Sequence, residues 1–362
     1  MKIGVLGSGQ LGRMLALSAY PLGHQMSFLA SSEEDPSSLL GNTFIQNGSQ
    51  EIIEEFAKNS DVVTYESENT AVSIVKEISQ KTMVYPSAKS LYISQHRGRE
   101  KLLFDKLNIP CAPYQMVNNL QELKIAVEKI GLPAILKTAT DGYDGKGQFL
   151  IQSDSQLDQA WKSMSGVESI LEGFINFKRE LSLVAVRGVD NTHEYYPLVE
   201  NSHHNGILRL TIAPAQNISP KLQQQAESYM RSLLDEMNHV GVLTIELFET
   251  DNNLVVNEMA PRVHNSGHWT IEGARTSQFE NHIRAITETP LGNTSCTHEY
   301  SAMINIIGEQ GPIDKALTLK NAHLHLYNKT EREGRKLGHI TITANTVYDL
   351  NTSLETLSDF MP

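Results

Sequence analysis

The chain has 362 residues, 40% of them hydrophobic and 20% charged, an ordinary globular composition that is long enough for two or three domains. Its formal net charge of -12 argues against a sequence-independent nucleic-acid binder, whose affinity comes from lysine and arginine on phosphates. Two isolated cysteines, Cys111 and Cys296, indicate neither a disulfide framework nor a zinc site, so a cytoplasmic location is the default expectation. No apolar run has the length of a membrane span, and a glycine loop follows the amino terminus too soon for a signal peptide.

The first residues predict a strand, a glycine-rich turn and a helix. Residues 2–6 are mostly apolar, residues 7–12 match G-x-G-x-x-G, and residues 11–19 have a helical pattern. Such a loop often holds the pyrophosphate of a dinucleotide. However, the second strand, residues 25–29, is not followed by the acidic residue that an NAD site requires. A smaller phosphorylated ligand or a purely structural turn is therefore favoured, and a dehydrogenase is disfavoured.

The βαβ alternation continues into a polar strand end. Strands at residues 61–66 and 83–86 flank a predicted helix. Glu66, Glu68 and Asn69 then fall at the carboxyl end of a parallel strand, where open α/β sheets bind ligands. Loop polarity and helix capping explain them equally well.

A lysine and a glycine-rich loop come next. Residues 94–107 predict one helix, after which a new domain begins. A later strand ends at Lys137, and the loop 141–148 places three glycines around Lys146. Freed backbone N–H groups beside an ammonium can cradle phosphates, although a plain hairpin turn is the alternative.

The following section offers weaker signals. Residues 169–175 predict a strand that runs into a bend, a shape suited to reading an adenine edge. The adjacent His203 and His204 are more typical of a surface loop than of a ligand site. A helix capped by Ser219 has methionines on its apolar face, which indicates a core position.

Residues 242–259 predict a β-hairpin that carries two glutamates. A turn centred near Asn252 pairs Glu246 with Glu258. The Cβ atoms of directly opposed residues lie about 4.5–5.5 Å apart, and two like charges at such a pair of positions are destabilising. Mg²⁺, which takes one or two carboxylates with water and phosphate oxygens, would neutralise them. A register slip of one residue would instead turn the glutamates to solvent.

Cationic residues follow the hairpin. Arg262 is placed to hold a phosphoryl group or a carboxylate, or to neutralise one of the two glutamates. His264 and His268 have the spacing of a helical zinc pair, but the residues between them favour a loop and disfavour zinc. Near the carboxyl end, residues 335–339 place cationic groups ahead of a strand, as a solvated turn or as an anion clamp.

Four motifs together resemble a known family. They are YESEN at 65–69, GYDGKGQ at 142–148, NEMAPRVHNSGHWT at 257–270 and RKLGHIT at 335–341. Their types and order resemble ATP-grasp ligases, and within them the 5-(carboxyamino)imidazole ribonucleotide synthetases, over nearly the whole chain. Two departures are His96, where the family usually has Asp, and Ser8, where Gly is common.

The resemblance implies an α/β and α+β architecture. It consists of a Rossmann-like (pre-ATP-grasp) domain at 1–93, an ATP-grasp domain at 94–290 with a flap subdomain at about 110–172, and a small, mainly β domain at 291–362.

The resemblance also implies an ATP-dependent carbon–nitrogen ligase of purine biosynthesis. It would carboxylate aminoimidazole ribonucleotide with bicarbonate through carboxyphosphate, giving ADP and phosphate. ATP and one or two Mg²⁺ ions, replaceable by Mn²⁺, would be the cofactors. A homodimer that passes its product to a carboxyaminoimidazole ribonucleotide mutase, with no nucleic-acid or membrane partner, is the implied assembly.

Site residues carry over onto the matching positions. Those implied for ATP are Arg97, Lys137, Gly142, Tyr143, Asp144, Gly145, Lys146, Gly147, Gln148, Glu172, Gly173, Phe174, Ile175, Glu180, His203, Asn257 and Glu258. Those implied for the ribonucleotide and bicarbonate are Glu66, Tyr143, Asp144, Asn265, Ser266, Arg335 and Lys336. Glu246 and Glu258 would hold the metal, and Asp144, Arg262, Lys336 and His268 would be catalytic, with Asp144 accepting a hydrogen bond from the amine.

Two rival functions remain. A formate-dependent glycinamide ribonucleotide transformylase is the nearest enzyme, and a catalytically dead ATP-binding module is the alternative outside enzymes. A dead module should have lost one of the phosphate, metal or phosphoryl residues, and Lys137, Lys146, Glu246, Glu258 and Arg262 are all present.

Overall fold

The computed structural model describes residues 1–142, 146–251 and 253–361. Three of the predicted site residues, Tyr143, Asp144 and Gly145, lie outside the described residues.

The amino-terminal part is a parallel sheet, because each short apolar strand is followed by a segment that returns the chain to the same edge. The strands are β1 (Lys2–Leu6), β2 (Gln25–Ala30), β3 (Asn42–Ile45), β4 (Val62–Tyr65) and β5 (Met83–Val84), in the order β3-β2-β1-β4-β5. The helices are α1 (Gln10–Ala19), α2 (Gln50–Lys58), α3 (Val72–Ile78) and α4 (Ala88–Ser94). Ile3, Phe28 and Val63 are fully buried in its core. The predicted Rossmann-like alternation is present.

The helix predicted over residues 94–107 is wrong at its start. Helix α4 ends at Ser94, and a separate helix, α5, runs over Arg97–Lys106. The ring nitrogen Nδ1 of His96 accepts hydrogen bonds from the backbone N–H groups of Gly98 (3.1 Å) and Arg99 (3.4 Å). An imidazole therefore caps the new helix, a task usually performed by Ser, Thr, Asp or Asn.

A small antiparallel sheet carries the glycine-rich loop. Its strands are β6 (Tyr114–Val117), β7 (Ala134–Thr138), β8 (Gln148–Ile151) and β9 (Ser169–Gly173), in the order β6-β9-β7-β8. Its helices are α6 (Leu120–Ile130) and α7 (Leu157–Ser163). Lys137 lies opposite Gln148 in the register, so the loop joins the two strands of a hairpin. Phosphate contact by this hairpin loop stays a prediction.

The rest of the chain forms one large sheet. Its strands are β10 (Arg179–Arg187), β11 (His193–Tyr195), β12 (Val199–His204), β13 (Ile207–Ala213), β14 (Gly241–Glu249), β15 (Leu254–Ala260), β16 (Tyr300–Ile307), β17 (Ala322–Leu326) and β18 (Lys336–Ala344). The order is β15-β14-β10-β12-β13-β16-β18-β17, with β11 beside β10. The helices are α8 (Pro220–Glu236), α9 (Thr270–Gly273), α10 (Gln278–Ile286), α11 (Ile313–Thr318) and α12 (Val347–Thr356). Because β13 pairs with β16, the sheet crosses residue 290, and the three-domain division stays a prediction.

The predicted hairpin and core helix are both present. Strands β14 and β15 are antiparallel, and Glu246 lies opposite Glu258 as predicted, although the register shifts by one residue toward the turn, where Leu247 lies opposite Val256. Ser219 caps α8, and Met230 and Met237 are fully buried. No helix in the described ranges is long and apolar enough to cross a membrane.

Two buried histidines join the amino-terminal sheet and helix α4 to the large sheet. Nδ1 of His282 accepts from the backbone N–H of Val242 at 3.0 Å, and its Nε2 lies 2.8 Å from Oγ1 of Thr64. His239 lies 3.0 Å from the carbonyl oxygen of Val242 and 3.2 Å from Oγ of Ser90. Burial lowers the pKa of His282 to about 3 and that of His239 to about 4, so both rings are neutral at pH 7.

We expect this pair to make the fold acid-sensitive. The folded-state pKa values lie below the unfolded value of about 6.5, so their stabilisation is complete above that pH and is lost as the pH falls toward 4. Each ring contributes up to about 1.4 kcal/mol of lost stability per pH unit in that window. Melting temperatures between pH 7.5 and 5 measure the effect. His204→Gln, which removes an exposed histidine, should leave the profile unchanged, and a flat profile in the native protein contradicts the assignment.

Candidate active site

A single cleft collects most of the predicted site residues. Its volume is about 630 Å³. The predicted residues that line it are Glu66, Arg97, Lys137, Gly142, Lys146, Gln148, Glu180, His203, Glu246, Asn257, Glu258, Arg262, Asn265, His268 and Lys336. The predicted residues placed outside this lining are Gly147, Glu172, Gly173, Phe174, Ile175, Ser266 and Arg335. Residues from the start of α1, from the turn after β4 and from the other two sheets therefore meet in one cavity.

The two glutamates of the hairpin differ in electrostatic environment. Burial raises the pKa of Glu246 to about 7, and the neighbouring charge of Glu258 adds to the shift. Desolvation also opposes ionisation of Glu258, but Arg97 outweighs it and lowers the pKa of that carboxyl. Nη1 of Arg97 lies 2.8 Å from Oε2 of Glu258. The two carboxylates repel each other, as expected for groups that share a cation.

Lys137 lies at the end of β7 within a polar group. Its Nζ donates to Oε2 of Glu172 at 2.8 Å and to the side-chain oxygen of Asn257 at 3.4 Å. Burial lowers the pKa of Lys137, and the charge of Glu172 counteracts part of that shift. Strand β7 thus places the ammonium group of Lys137 in the wall of the cleft, where Glu172 holds it by a hydrogen bond.

His203 lies in the cleft and not on the surface. It contacts the carboxylate of Glu180, whereas His204 is exposed. The surface interpretation of this pair was wrong for His203, because both belong to strand β12, where successive side chains point to opposite faces.

Arg262 is held by a glutamate from the amino-terminal sheet. Its Nε and Nη2 donate to the two carboxylate oxygens of Glu68 at 2.5 and 2.7 Å, and its Nη1 donates to the carbonyl oxygen of Val263 at 3.1 Å. Burial opposes ionisation of Glu68, but Arg262 prevails and lowers its pKa to about 2. The idea that Arg262 pairs with Glu246 or Glu258 is wrong, since Arg97 pairs with Glu258.

The amino-terminal glycine loop is filled by the protein itself. The backbone N–H groups of Gly9 and Gly12 donate to the carboxylate of Glu66, at 2.6 Å for Gly12. Gly7 has φ +108°, and a Cβ there would lie 2.6 Å from Cγ of Glu66. Of the two alternatives left open by the sequence, the structural turn fits, because a carboxylate occupies the positions that a phosphate would need.

The cationic segment at 335–339 was predicted to be either a solvated turn or an anion clamp, and its residues differ in this respect. Lys336 lines the cleft, while Arg335 donates to the exposed Thr330. His339 is buried and lies 2.6 Å from the hydroxyl of Tyr327. Strand pairing of β18 places these residues differently although they are adjacent in sequence.

Two further residues were missed by the sequence analysis. Lys329 donates to the side chain of Gln10, and Gln10 lines the cleft. Burial lowers the pKa of Lys329 to about 8, and nearby Arg335 contributes to the shift. Gln10 occupies one of the unspecified positions of the G-x-G-x-x-G motif, so the motif does not single it out. Lys329 is 319 residues away from Gln10 in the sequence. No local pattern joins them.

His264 and His268 flank a short 3-10 turn, Asn265–Gly267, as the intervening residues indicated. His268 is buried, lies 3.3 Å from Nε2 of Gln278 and has a pKa well below its usual value because of burial. Within the described ranges, no group of three or more His, Cys, Asp or Glu side chains could hold a metal. A cation on the glutamate pair would therefore take its other ligands from water and phosphate oxygens.

The fold and this cleft define a class. Family models match in succession as a Ribonucleotide synthetase preATP-grasp domain over residues 1–95, an ATP-grasp domain over 102–279 and a Phosphoribosylaminoimidazole carboxylase C-terminal domain over 301–353. The protein is an ATP-grasp ligase.

Known proteins narrow this class. The N5-carboxyaminoimidazole ribonucleotide synthase of Pseudomonas aeruginosa is 46% identical over 343 residues, 94% of each chain. The N5-carboxyaminoimidazole ribonucleotide synthetase of Thermus thermophilus has a crystal structure with a TM-score of 0.94 and 44% identity, covering 99% of this chain and 98% of that one. The Aspergillus clavatus synthase, in complex with ADP and 5-aminoimidazole ribonucleotide, has a TM-score of 0.92 and 33% identity, covering 99% and 98%. The chain belongs to the N5-carboxyaminoimidazole ribonucleotide synthase family, which confirms the predicted fold class, ligase activity and use of ATP.

Proposed function

We propose that the cleft brings together ATP, bicarbonate and aminoimidazole ribonucleotide. ATP phosphorylates bicarbonate to carboxyphosphate, and this acyl phosphate or the CO₂ released from it carboxylates the exocyclic amine, leaving ADP and phosphate. The observation that carries the proposal is one cavity lined both by the glutamate pair with its arginines and by the distant residues Gln10 and Lys336. Homologues that bind ADP and 5-aminoimidazole ribonucleotide support it.

The nucleotide end of the cleft is the part near the hairpin. Lys137, Lys146 and Gln148 come from β7, β8 and their connecting loop, and Glu180 and His203 lie on the opposite sheet. Glu246 and Glu258 fit Mg²⁺ or Mn²⁺, because two repelling carboxylates at one wall leave room for phosphate and water ligands. When bound, the metal supplies positive charge against the phosphoryl oxygens.

Arg262 is assigned to the phosphoryl group and to carboxyphosphate. Glu68 holds the guanidinium through Nε and Nη2, so its orientation is fixed before any ligand arrives. A preorganised guanidinium stabilises charge that develops in the transition state without reorganisation. Asn265 and His268 line the same cleft as Arg262. Asn265 is polar, and His268 is neutral because burial lowers its pKa.

The ribonucleotide end of the cleft lies between the amino-terminal part of the chain, which carries Gln10, and strand β18, which carries Lys336. Lys336 and Gln10 line the cleft there, and Lys329 donates to the side chain of Gln10 from behind it; this group of donors suits a phosphate and ribose hydroxyls. Glu66 and, from the sequence, Tyr143 and Asp144 are assigned to the aminoimidazole. A homodimer in the cytoplasm, and transfer of the carboxylated product to a mutase, belong to the same proposal and rest on the family resemblance.

The proposal is tested by phosphate release from Mg·ATP and bicarbonate, with and without aminoimidazole ribonucleotide. Stimulation by this ribonucleotide is expected. Glycinamide ribonucleotide with formate is the control, and stimulation by that pair alone would move the assignment to a transformylase. No stimulation by either pair would indicate an ATP-binding module.

Asp144→Asn is expected to lower turnover by about 100-fold or more while the KM for ATP changes little, because a neutral amide replaces the carboxylate assigned to accept a hydrogen bond from the amine, and the other nucleotide contacts remain. Steady-state kinetics with each substrate varied in turn measure both effects. An equal loss of turnover and of ATP affinity contradicts a role toward the amine.

A further inference from the structure

The strand that carries Glu258 lies at the edge of the large sheet and is interrupted by a bulge. Strand β15 pairs with β14 on one side, and on its other side one isolated bridge joins Val256 to Cys111, with the Val256 N–H donating to the carbonyl oxygen of Pro110 at 2.8 Å. The register passes from Glu246–Glu258 to Leu247–Val256 and skips Asn257. An edge strand leaves backbone N–H and C=O groups that need other partners, and a bulge re-aims the side chains beside it. The direction in which Glu258 points therefore depends on what holds residues 257–259.

Helix α5 covers this edge with two buried side chains. Nζ of Lys101 donates to the carbonyl oxygen of Asn257 at 2.5 Å. The backbone N–H of Met259 donates to Oε1 of Glu100 at 2.6 Å. Beyond the bridge at Val256, one donor and one acceptor thus pair with backbone groups of β15 on either side of Glu258.

A third residue of the same helix reaches Glu258 directly. Arg97, Glu100 and Lys101 are spaced i, i+3 and i+4, so they share one helix face. Nη1 of Arg97 donates to Oε2 of Glu258 at 2.8 Å. Three consecutive residues of the strand are therefore each contacted by one residue of α5.

Burying the ionisable side chains of Glu100 and Lys101 costs free energy unless they make specific contacts. Lys101 is 0% exposed and Glu100 is 2% exposed. Buried ionisable side chains are often no more stabilising than apolar residues of the same size, so stability alone does not account for them. Oε1 of Glu172 lies 3.7 Å from Nζ of Lys101, beyond a good hydrogen bond. The principal contact of Lys101 is the bulged backbone.

We propose that Glu100 and Lys101 are positioning residues that hold the bulge at Asn257 and so aim the carboxylate of Glu258 at the metal. The inference rests on the proposed metal role of Glu246 and Glu258. Neither residue touches the reacting atoms, and both act through the backbone of residues 257–259.

Lys101→Met removes the donor and keeps the apolar length of the side chain. We expect the dissociation constant of Mn²⁺, titrated with ADP present and without turnover, and the Mg²⁺ concentration for half-maximal activity both to rise about 10–100-fold, the range typical of lost support behind a metal ligand. The KM for ATP at saturating Mg²⁺ should change less than about threefold, because the nucleotide contacts remain. Lys106→Met is the matched control, since Lys106 lies on the same helix and only pairs with Glu236 at the surface.

Glu100 supplies a second, independent comparison. Glu100→Gln retains an oxygen that accepts from Met259 and should keep the native Mg²⁺ requirement, whereas Glu100→Ala should raise it as Lys101→Met does. If Glu100→Gln and Glu100→Ala require the same Mg²⁺ concentration, the proposal is overturned. This comparison does not depend on whether Lys101→Met folds. An unchanged Mg²⁺ requirement in a folded Lys101→Met overturns it as well.

Failure of the underlying metal site has a different signature. If native activity showed no dependence on a divalent ion, or if Glu258→Gln kept the native Mg²⁺ requirement, the metal role itself would be wrong. Failure of the positioning role alone leaves Glu258→Gln inactive and both helix variants native-like.

Discussion

Glu258→Gln is expected to reduce Mg²⁺-dependent ATP turnover by roughly 100-fold or more. The substitution preserves size but removes the charge that lies opposite Glu246 and pairs with Arg97 at 2.8 Å. The proposed metal, which would stabilise charge on phosphoryl oxygens, would lose an anionic ligand, and Arg97 would lose its partner. Phosphate release at increasing Mg²⁺ measures the effect, and saturating metal should not restore the native rate.

The matched control for Glu258→Gln is Glu249→Gln on the same hairpin. Glu249 pairs with Arg179 at 2.6 Å and does not line the cleft. Its replacement should leave turnover within about twofold, as for surface substitutions away from a site. Native-like activity in Glu258→Gln would rule out the paired-glutamate site.

Arg262→Lys is expected to lower kcat about 100–1,000-fold, the range found when one preorganised donor to a transition-state oxyanion is removed. Lysine keeps the positive charge but cannot reproduce the two parallel hydrogen bonds to Glu68 at 2.5 and 2.7 Å, so its orientation is lost. The KM for ATP should change little because the residues proposed to hold the nucleotide lie on the hairpin and on the strands and loop around Lys137 and Lys146.

Arg284→Lys provides the comparison for Arg262→Lys. Arg284 pairs with Glu280 within helix α10, away from the cleft, and its replacement should be neutral. A kcat for Arg262→Lys within tenfold of the native value would show that charge alone is sufficient at this position.

Local sequence signals identified the hairpin and the Glu246–Glu258 pair correctly, but they did not predict the bulge that places Leu247 opposite Val256. Two β-branched runs around a polar turn leave few ways to pair, so Glu246 and Glu258 could be placed opposite each other before the structure was known. The same reasoning found the cap at Ser219 and the parallel strands of the amino-terminal sheet. Periodicity and turn chemistry are properties of neighbouring residues, and these elements depend on little else.

The site contacts that sequence reasoning missed join residues far apart in the chain. Glu68 and Arg262 are 194 positions apart, and Glu66 reaches Gly9 and Gly12 from another strand end. The break before α5 was missed because His96 performs a capping role for which its residue type is unusual. Such contacts are decided by tertiary packing, for which a single sequence contains no periodic signal.

The continuity of the large sheet has a consequence for motion. Six strand steps separate β15, which carries Glu258, from β18, which begins with Lys336. A twist of roughly 20–25° per step rotates one end of the sheet strongly against the other, and residues from both ends line the same cleft. A hinge inside this sheet would break ladder hydrogen bonds, so its amides should exchange slowly with deuterium as one unit. We expect any closing motion over the cleft to come from the separate four-stranded sheet, moving as one body against the rigid large sheet.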